Sequence, residues 1–433
     1  MAFKYSLYYI IATAALSALT LPVTQGNELN CVTSYDSNKD YFPDKVQVKY
    51  NPGFEITYKG NAKYLRNTVS DETYVLYQCG TDAPKDTKPT PADSLQVGGW
   101  TKLASVPGSK IALDSAPASA IIELLDMQDT VAASYKFFQV TSPCMQKTLA
   151  ELPRVSQNFG TPTNNNRRRH TATTGPLVRR VSYDIAQDSL QWTFTTYGMS
   201  DPHSFAINPE SAQDMLGKAE WIKFVAAFYN READANRVFA QIESNYAAAK
   251  AKAPKQDKKK VVGLARYNKA ANGTVIGWSI DQPQQWFVQG IADAGMSAHA
   301  GDTQSFRKID DFYGAVSGWD VLIDSSIEPL PHGGATIPEW SNLVAAYGFD
   351  TAGKSYKSLP FYQSNAIYRS DRISGLNNAT DYNEHLQVQV DVLLNDLIKI
   401  AKASSDGAKG TEWYRNMPSK QPVEWKSADE CKN

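Results

Sequence analysis

The residues able to do chemistry are few and scattered. The chain holds five histidines, His170, His203, His299, His332 and His385. None stands beside another histidine or a cysteine at the spacing a bound metal requires. His203, His299 and Asp324 are the set that folding would have to gather to hold a bare metal ion; taken singly, each histidine reads as a solvated or core residue. His332-Gly333-Gly334 has the pattern of an oxyanion-hole loop, but no Gly-x-Ser-x-Gly elbow accompanies it. Gly-x-x-x-x-Gly-Lys-Ser/Thr, the phosphate-cradling loop, does not occur. The four cysteines, Cys31, Cys79, Cys144 and Cys431, include no closely spaced pair. That argues against zinc and for two disulfides in an oxidising compartment, with three connectivities open.

The N-terminus agrees with export. Lys4 precedes an apolar run from Tyr8 to Leu21, and Thr24 and Gly26 are small residues placed for cleavage after Gly26. This run is too short for a membrane span and reads as a signal peptide, residues 1–26. Cys31 lies beyond it, so no lipidated cysteine follows, and the polar stretch Trp425 to Asn433 is not a lipid-anchor signal. The expected mature protein is soluble, secreted and extracellular or associated with the cell surface. Asn272-Gly273-Thr274 and Asn378-Ala379-Thr380 are glycosylation sequons, relevant only in a eukaryotic host. The 433 residues, 42% apolar and 21% charged, suffice for two domains with cores. With 44 basic and 45 acidic residues the net charge is -1, which leaves no footprint for nucleic acid or anionic lipid.

These residues are carried by an α/β rhythm. Phe54 to Tyr58 and Tyr74 to Cys79 alternate and predict an N-terminal antiparallel strand pair. Lys110 to Asp114 is a short apolar strand, Ser115-Ala116-Pro117 a turn, Ile121 to Leu125 a helix and Thr130 to Ser134 the next strand, together a parallel crossover unit. Asn164 to His170 is a polar, basic loop. Asn208-Pro209-Glu210 predicts the start of a helix running to Tyr229. A second helix spans Glu232 to Ala253 and stops at Pro254. The rhythm then repeats: strands at Val261 to Ala265, Thr274 to Trp278 and Trp319 to Asp324, helices from Asp281 to Ala294 and Arg307 to Val316. Asp381 with Glu384 predicts a capping box for one long final helix through Ile400. The fold class is therefore α/β: two lobes with mainly parallel sheets joined by one long helix, plus the N-terminal pair. The boundaries fall at 27–230 for the first lobe, 231–256 for the linking helix and 257–433 for the second.

In this order the elements resemble the periplasmic-binding-protein-like domains of the helical-linker class, which hold iron-siderophores, cobalamin or metal. Gly108 to Pro117, Ile121 to Leu125 and Asp129 to Ser134 resemble the family's opening unit, with Glu151 to Val155 after it. Ala233 to Ala253 resembles the linking helix. Lys260 to Arg266, Thr274 to Ser279, Asp293-Ala294-Gly295 and Ser317 to Ser325 resemble the second lobe's opening. Trp340 to Leu343, Tyr362 to Tyr368 and the last helix complete the match. It covers about residues 105–158 and 208–402. Residues 27–104 and 159–207 depart from it, and the strand closing the first lobe is assigned to Gln191 to Thr195.

Ligands of such sheets sit beyond the carboxyl ends of the strands, here in a shared cleft. The residues just past each strand are Asp114, Ser115, Ser134 and Tyr135 in the first lobe, and Arg266, Tyr267, Trp278, His299 and Ser325 in the second. The resemblance implies aromatic and arginine grips on a bulky chelate, which selects Tyr135, Arg266, Tyr267 and Trp278 together with Ser115. It implies a non-enzymatic solute-binding protein with no cofactor, a small-molecule ligand such as an iron-siderophore, a membrane transporter as partner and a monomeric state. The alternatives are a secreted α/β hydrolase and a cell-wall or host-interaction protein without a ligand. The helical link predicts that ligand binding moves the lobes by only a modest hinge.

Overall fold

The structure is a computed structural model that describes residues 26–50, 53–85, 101–134, 139–152, 190–196, 203–270, 272–329, 335–350, 355–375 and 378–432. The signal peptide, the basic loop at 164–170, His332 and Tyr135 lie outside the described residues.

The N-terminal module is larger than a strand pair. β1 (Phe54–Lys59), β2 (Ala62–Asn67) and β3 (Glu72–Gln78) form an antiparallel meander, and β4 (Thr101–Val106) adds parallel to β3. The two strands read from the sequence therefore do not pair with each other; β2 lies between them. Its pattern is hidden because Lys63 and Asn67 interrupt the apolar alternation, yet both are fully buried. Lys63 forms an ion pair with Glu232 and donates to the Ala227 carbonyl at 2.7 Å. Asn67 donates to the Ala206 carbonyl at 3.0 Å. Buried polar groups persist only with such partners, and these fasten the meander to the first lobe.

The first lobe holds four parallel strands. β5 (Ile111–Asp114) leads into α1 (Ala116–Leu124), then β6 (Val131–Ser134), α2 (Pro143–Glu151), β7 (Trp192–Thr195) and β8 (Ser204–Ala206). The sheet order is β6-β5-β7-β8. The strand sought at 191–195 is thus β7, and it lies inside the sheet, in parallel register with β5. Ile111, Leu113, Trp192, Phe194 and Phe205 are all buried, as a parallel sheet covered on both faces requires.

The helix expected from Asn208 to Tyr229 is broken. A 3-10 turn at Pro209–Ser211 precedes α3 (Met215–Ala219) and α4 (Trp221–Ala227). Asp214 restarts the chain, its carboxylate capping α3 by accepting from Gly217 N at 2.7 Å. Every residue of α4 is buried, so no amphipathic period marks it. α5 (Glu232–Ala251) lies within the expected linking segment. It packs on α4 from one side and on α11 (Val390–Lys402) of the second lobe from the other.

The second lobe contains β9 (Val261–Lys269), β10 (Val275–Asp281), α6 (Gln285–Asp293), β11 (Ser297–Ala298), β12 (Gln304–Phe306), α7 (Ile309–Ala315) and β13 (Val321–Asp324). A two-strand hairpin, β14 (Glu328–Pro329) and β15 (Ala335–Thr336), is followed by α8 (Trp340–Ala346), α9 (Pro360–Gln363), β16 (Ile367–Arg369), β17 (Ile373–Ser374) and α10 (Asp381–His385). After α11 come β18 (Arg415–Asn416) and β19 (Glu424–Trp425). The sheet runs β12-β10-β9-β13-β16-β18, with β11 also on β9. Its centre, β9, β13 and β16, is parallel, whereas β10 folds back antiparallel on β9. The last helix is split into α10 and α11, and Thr380 rather than Asp381 caps α10, accepting from Asn383 N at 3.4 Å. Glu384 has turned away from the helix backbone to face the first lobe.

The cysteines form two disulfides, Cys31–Cys79 and Cys144–Cys431. The first closes the N-terminal module. The second joins α2 of the first lobe to the tail of the second.

Candidate functional site

β13 and β16 lie side by side and end at Asp324 and Arg369. Their carboxyl ends open into a cavity of about 540 Å³, within the range that suits small-molecule ligands. Gln282, Pro283 and Gln284 lead into α6, whose Trp286 and Phe287 form one wall. Ser325, Ser326 and Ile327 follow β13, and Thr336 and Ile337 close a second side. Asn378, Thr380, Tyr382 and Asn383, before and on α10, form the third.

The floor is a line of buried charges. The Arg369 guanidinium pairs with Asp324 through Nη1 and with Asp371 through Nε at 2.6 Å. Asp371 in turn receives Arg415 Nε at 2.9 Å, and Arg415 extends the line to Glu339 at 3.2 Å. Asp324 also accepts from Tyr347 at 2.7 Å and from Ser326 Oγ at 2.6 Å. Burial works to lower the Arg369 pKa, but Asp324 and Asp371 outweigh it and hold the guanidinium charged. Burial first, then the charge of Asp324, pushes the Tyr347 hydroxyl far up, so it donates and does not ionise.

Two of the sequence-derived residues approach this cavity through one intermediary. Arg266 Nη1 pairs with Asp281 across the β9–β10 hairpin, and Asp281 accepts from the lining residue Ser325 at 3.3 Å. Tyr267 is buried, its N–H on Ser326 Oγ at 2.9 Å and its hydroxyl on Glu328. Burial and that bond raise its pKa. Trp278 stands farther along the hairpin and donates to the Ala346 carbonyl at 3.0 Å. Ser115 is buried before α1 and its hydroxyl has no partner among the described residues. Of the remaining candidates Ser325 lines the cavity, and the His299 ring packs on Trp319 at 5.1 Å. Every described residue that lines the cavity belongs to the second lobe.

Arg369, Asp371 and Arg415 were not singled out from the sequence; Arg369 ends β16, Asp371 stands just past it and Arg415 opens β18. β16 is a buried strand of three residues that ends in Arg369 itself, with Ser370 and Asp371 directly after it, and three residues are too few for a visible period.

Among the described residues, one group of three metal-type ligands comes together: Asp381, Glu384 and His385 on α10. It is not the set His203, His299 and Asp324. Its carboxylates are already taken by hydrogen-bond donors. Glu384 accepts from Ser119 Oγ at 2.9 Å, Thr141 N at 2.5 Å, Thr141 Oγ1 at 2.6 Å and Ser142 N at 3.2 Å, all from the first lobe. Asp381 accepts from Trp413 Nε1 at 2.7 Å, and the Thr141 hydroxyl, 2.8 Å from Asp381, has one proton to share between Asp381 and Glu384. His385 lies 3.0 Å from Asp381 and 3.8 Å from Glu123 of α1. Donors aimed at a carboxylate do the work a cation would do, so this cluster is a latch between the lobes.

No family model matches the sequence, and no curated protein matches it. Solved structures similar to this chain are periplasmic solute-binding proteins. One, from Staphylococcus epidermidis and described as iron-binding, is 10% identical, covers 68% of this chain and 98% of its own, and has a TM-score of 0.44. The triscatecholate siderophore binding protein of Bacillus subtilis, solved with ferri-bacillibactin, is 12% identical over 68% of this chain and 94% of its own, TM-score 0.42. The periplasmic haem binding protein of Vibrio cholerae is 12% identical over 66% of this chain and 98% of its own, TM-score 0.41.

Proposed function

We infer that the chain is an exported solute-binding protein that holds a small ligand of metal-chelate type in the cavity beyond β13 and β16. The observation that carries this reading is that cavity: it lies at the carboxyl ends of parallel strands, has apolar walls and stands on a fixed polar floor. That is where and how open α/β sheets hold ligands. Two disulfides fit an oxidising compartment, as the sequence pattern of a signal peptide requires. A role in capture calls for a membrane transporter as the next partner and for a monomer that can dock on it. No helix among the described residues is long and apolar enough to cross a membrane. Asn272 is exposed at the β9–β10 turn, where a glycan would meet no obstacle in a eukaryotic host.

The test is thermal denaturation of the secreted chain with ferric trihydroxamates, ferric triscatecholates, haem, cobalamin and free divalent metals. A ligand at about 100 times its Kd adds about 2.7 kcal/mol, a readily measured shift. A shift with one class establishes the binding role. The absence of any shift across the panel refutes the chelate reading.

A further inference from the structure

The charged groups of the cavity have a common property: each is already paired. Arg369, Asp324 and Asp371 are the charged side chains of its lining, and all three sit in ion pairs, with side-chain exposures of 9%, 0% and 3%. With Arg415 the floor contains two arginines and two aspartates, and the exposed Glu339 paired to Arg415 leaves no positive charge in excess. Just outside the lining, Arg266 is matched by Asp281 and Lys269 by Glu328. Lys218, behind the Trp286 wall with its Nζ 4.4 Å from the ring centroid, is buried and donates to the Pro209 carbonyl. The other polar groups facing the space are neutral, among them Gln282, Gln284, Asn383 and Ser325, which both donate and accept.

We propose that this cavity takes an uncharged ligand, a neutral chelate whose outer shell is carbonyl, amide or hydroxyl oxygen, and rejects polyanionic ones; the proposal rests on the binding role above. A polyanion entering this space would lose its hydration and gain no counter-charge, because drawing on Arg369 means detaching it from two buried aspartates. A neutral ligand pays neither penalty, and its oxygens and apolar flanks meet amides, hydroxyls and the side chains of Ile327 and Tyr382.

The experiment is calorimetric titration of the full mature chain with ferrichrome, a neutral ferric trihydroxamate, and with ferric enterobactin, a trianionic ferric triscatecholate. The expected result is binding of ferrichrome at least ~10-fold tighter, equivalent to about 1.4 kcal/mol, with little change as salt is raised. Asp371→Asn leaves Arg369 and Arg415 under-neutralised and should shift preference toward the trianion by a similar factor. If that variant does not fold, the salt dependence of the native chain supplies the second reading. Tighter binding of the trianion, weakening steeply with salt, overturns the proposal and leaves the binding role standing. Failure of both chelates to bind overturns the proposal, and the chelate-binding role falls with it only if haem, cobalamin and divalent metals also give no thermal shift.

Discussion

Glu384 ties the second lobe to the first through its side chain. It is fully buried, and its four hydrogen bonds all come from the first lobe. Glu384→Gln preserves shape. The amide nitrogen can turn to Ser119, whose one hydroxyl proton then points to the Ala116 carbonyl 2.7 Å away and leaves its oxygen free to accept. The three bonds on the other oxygen then fall from the charged to the neutral class, a loss of about 1 kcal/mol each, or about 3 kcal/mol together. Glu384→Ala also orphans the N–H groups of Thr141 and Ser142 in a buried site, which raises the loss to about 5 kcal/mol or more. The assay is urea denaturation followed by tryptophan fluorescence, with hydrogen exchange at the Thr141 and Ser142 amides to place the opening. The graded order, Ala worse than Gln, is the signature. Losses below about 1 kcal/mol in both variants, or continued protection of those amides in the alanine variant, would refute the latch.

Three further outcomes follow from the same geometry. By chain entropy, Cys144–Cys431, with a separation of 287, contributes about 5.6 kcal/mol, and Cys31–Cys79, with a separation of 48, about 4.1 kcal/mol; serine pairs at each site, compared in denaturant, should keep that order. His385 has a pKa raised well above its usual value, burial working against the larger combined pull of Asp381 and Glu123, with Glu384 adding to it. Its stabilisation is full below pH about 6.5 and is lost as pH rises through the raised value. Burial lowers the Lys218 pKa to about 7, so its contribution runs oppositely, stability rising between about pH 7 and pH 10.5. The two contributions therefore oppose each other above neutral pH. His385→Gln should expose a rise and Lys218→Met a fall, and a profile unchanged by both substitutions would be wrong for this pairing. Arg369→Met leaves Asp324 and Asp371 facing each other across the floor and should cost about 3–5 kcal/mol in equilibrium unfolding.

The parts of this fold legible in the sequence are those whose periodicity is local. β5, β6 and β13 are read from their own residues as short apolar runs, and α1 and α5 from the helical spacing of theirs. The breaks are not legible. Asp214 looks like an exposed acid on a continuous helix until its side chain caps α3. Asp381 and Glu384 look like a capping box until Glu384 meets Ser119 and Thr141, residues more than two hundred positions away. The hidden strand β2 depends on a lysine whose burial makes sense only beside Glu232. Arg266 and Tyr267, reached by position, stand one residue behind the cavity lining, and its floor is made by Arg369, which ends a strand of three residues, and by Asp371 just past it. Pairing partners distant in the chain decide all of these, and no window of neighbouring residues contains them.

The latch also alters what the linking helix implies. A helix alone allows a modest hinge about its ends. Here α5 is held to the second lobe by Asn245 on Asp391 at 2.9 Å and by Tyr246 on Asp293 at 2.7 Å. At a second place α3 meets α6, where Met215 N donates to Gln289 at 3.1 Å. At a third, α10 packs on α1 of the first lobe, and Cys144–Cys431 ties α2 covalently to the end of the second. Contacts at these three separated places all have to give before the lobes can turn on one another. The same α10 that carries the latch residue Glu384 also supplies Tyr382 and Asn383 to the cavity wall. Any ligand that displaces this wall must therefore work against the latch, whereas one that fits the existing wall does not. Affinity then rests on a cavity formed before the ligand arrives, and ordering the protein adds little to the cost of binding.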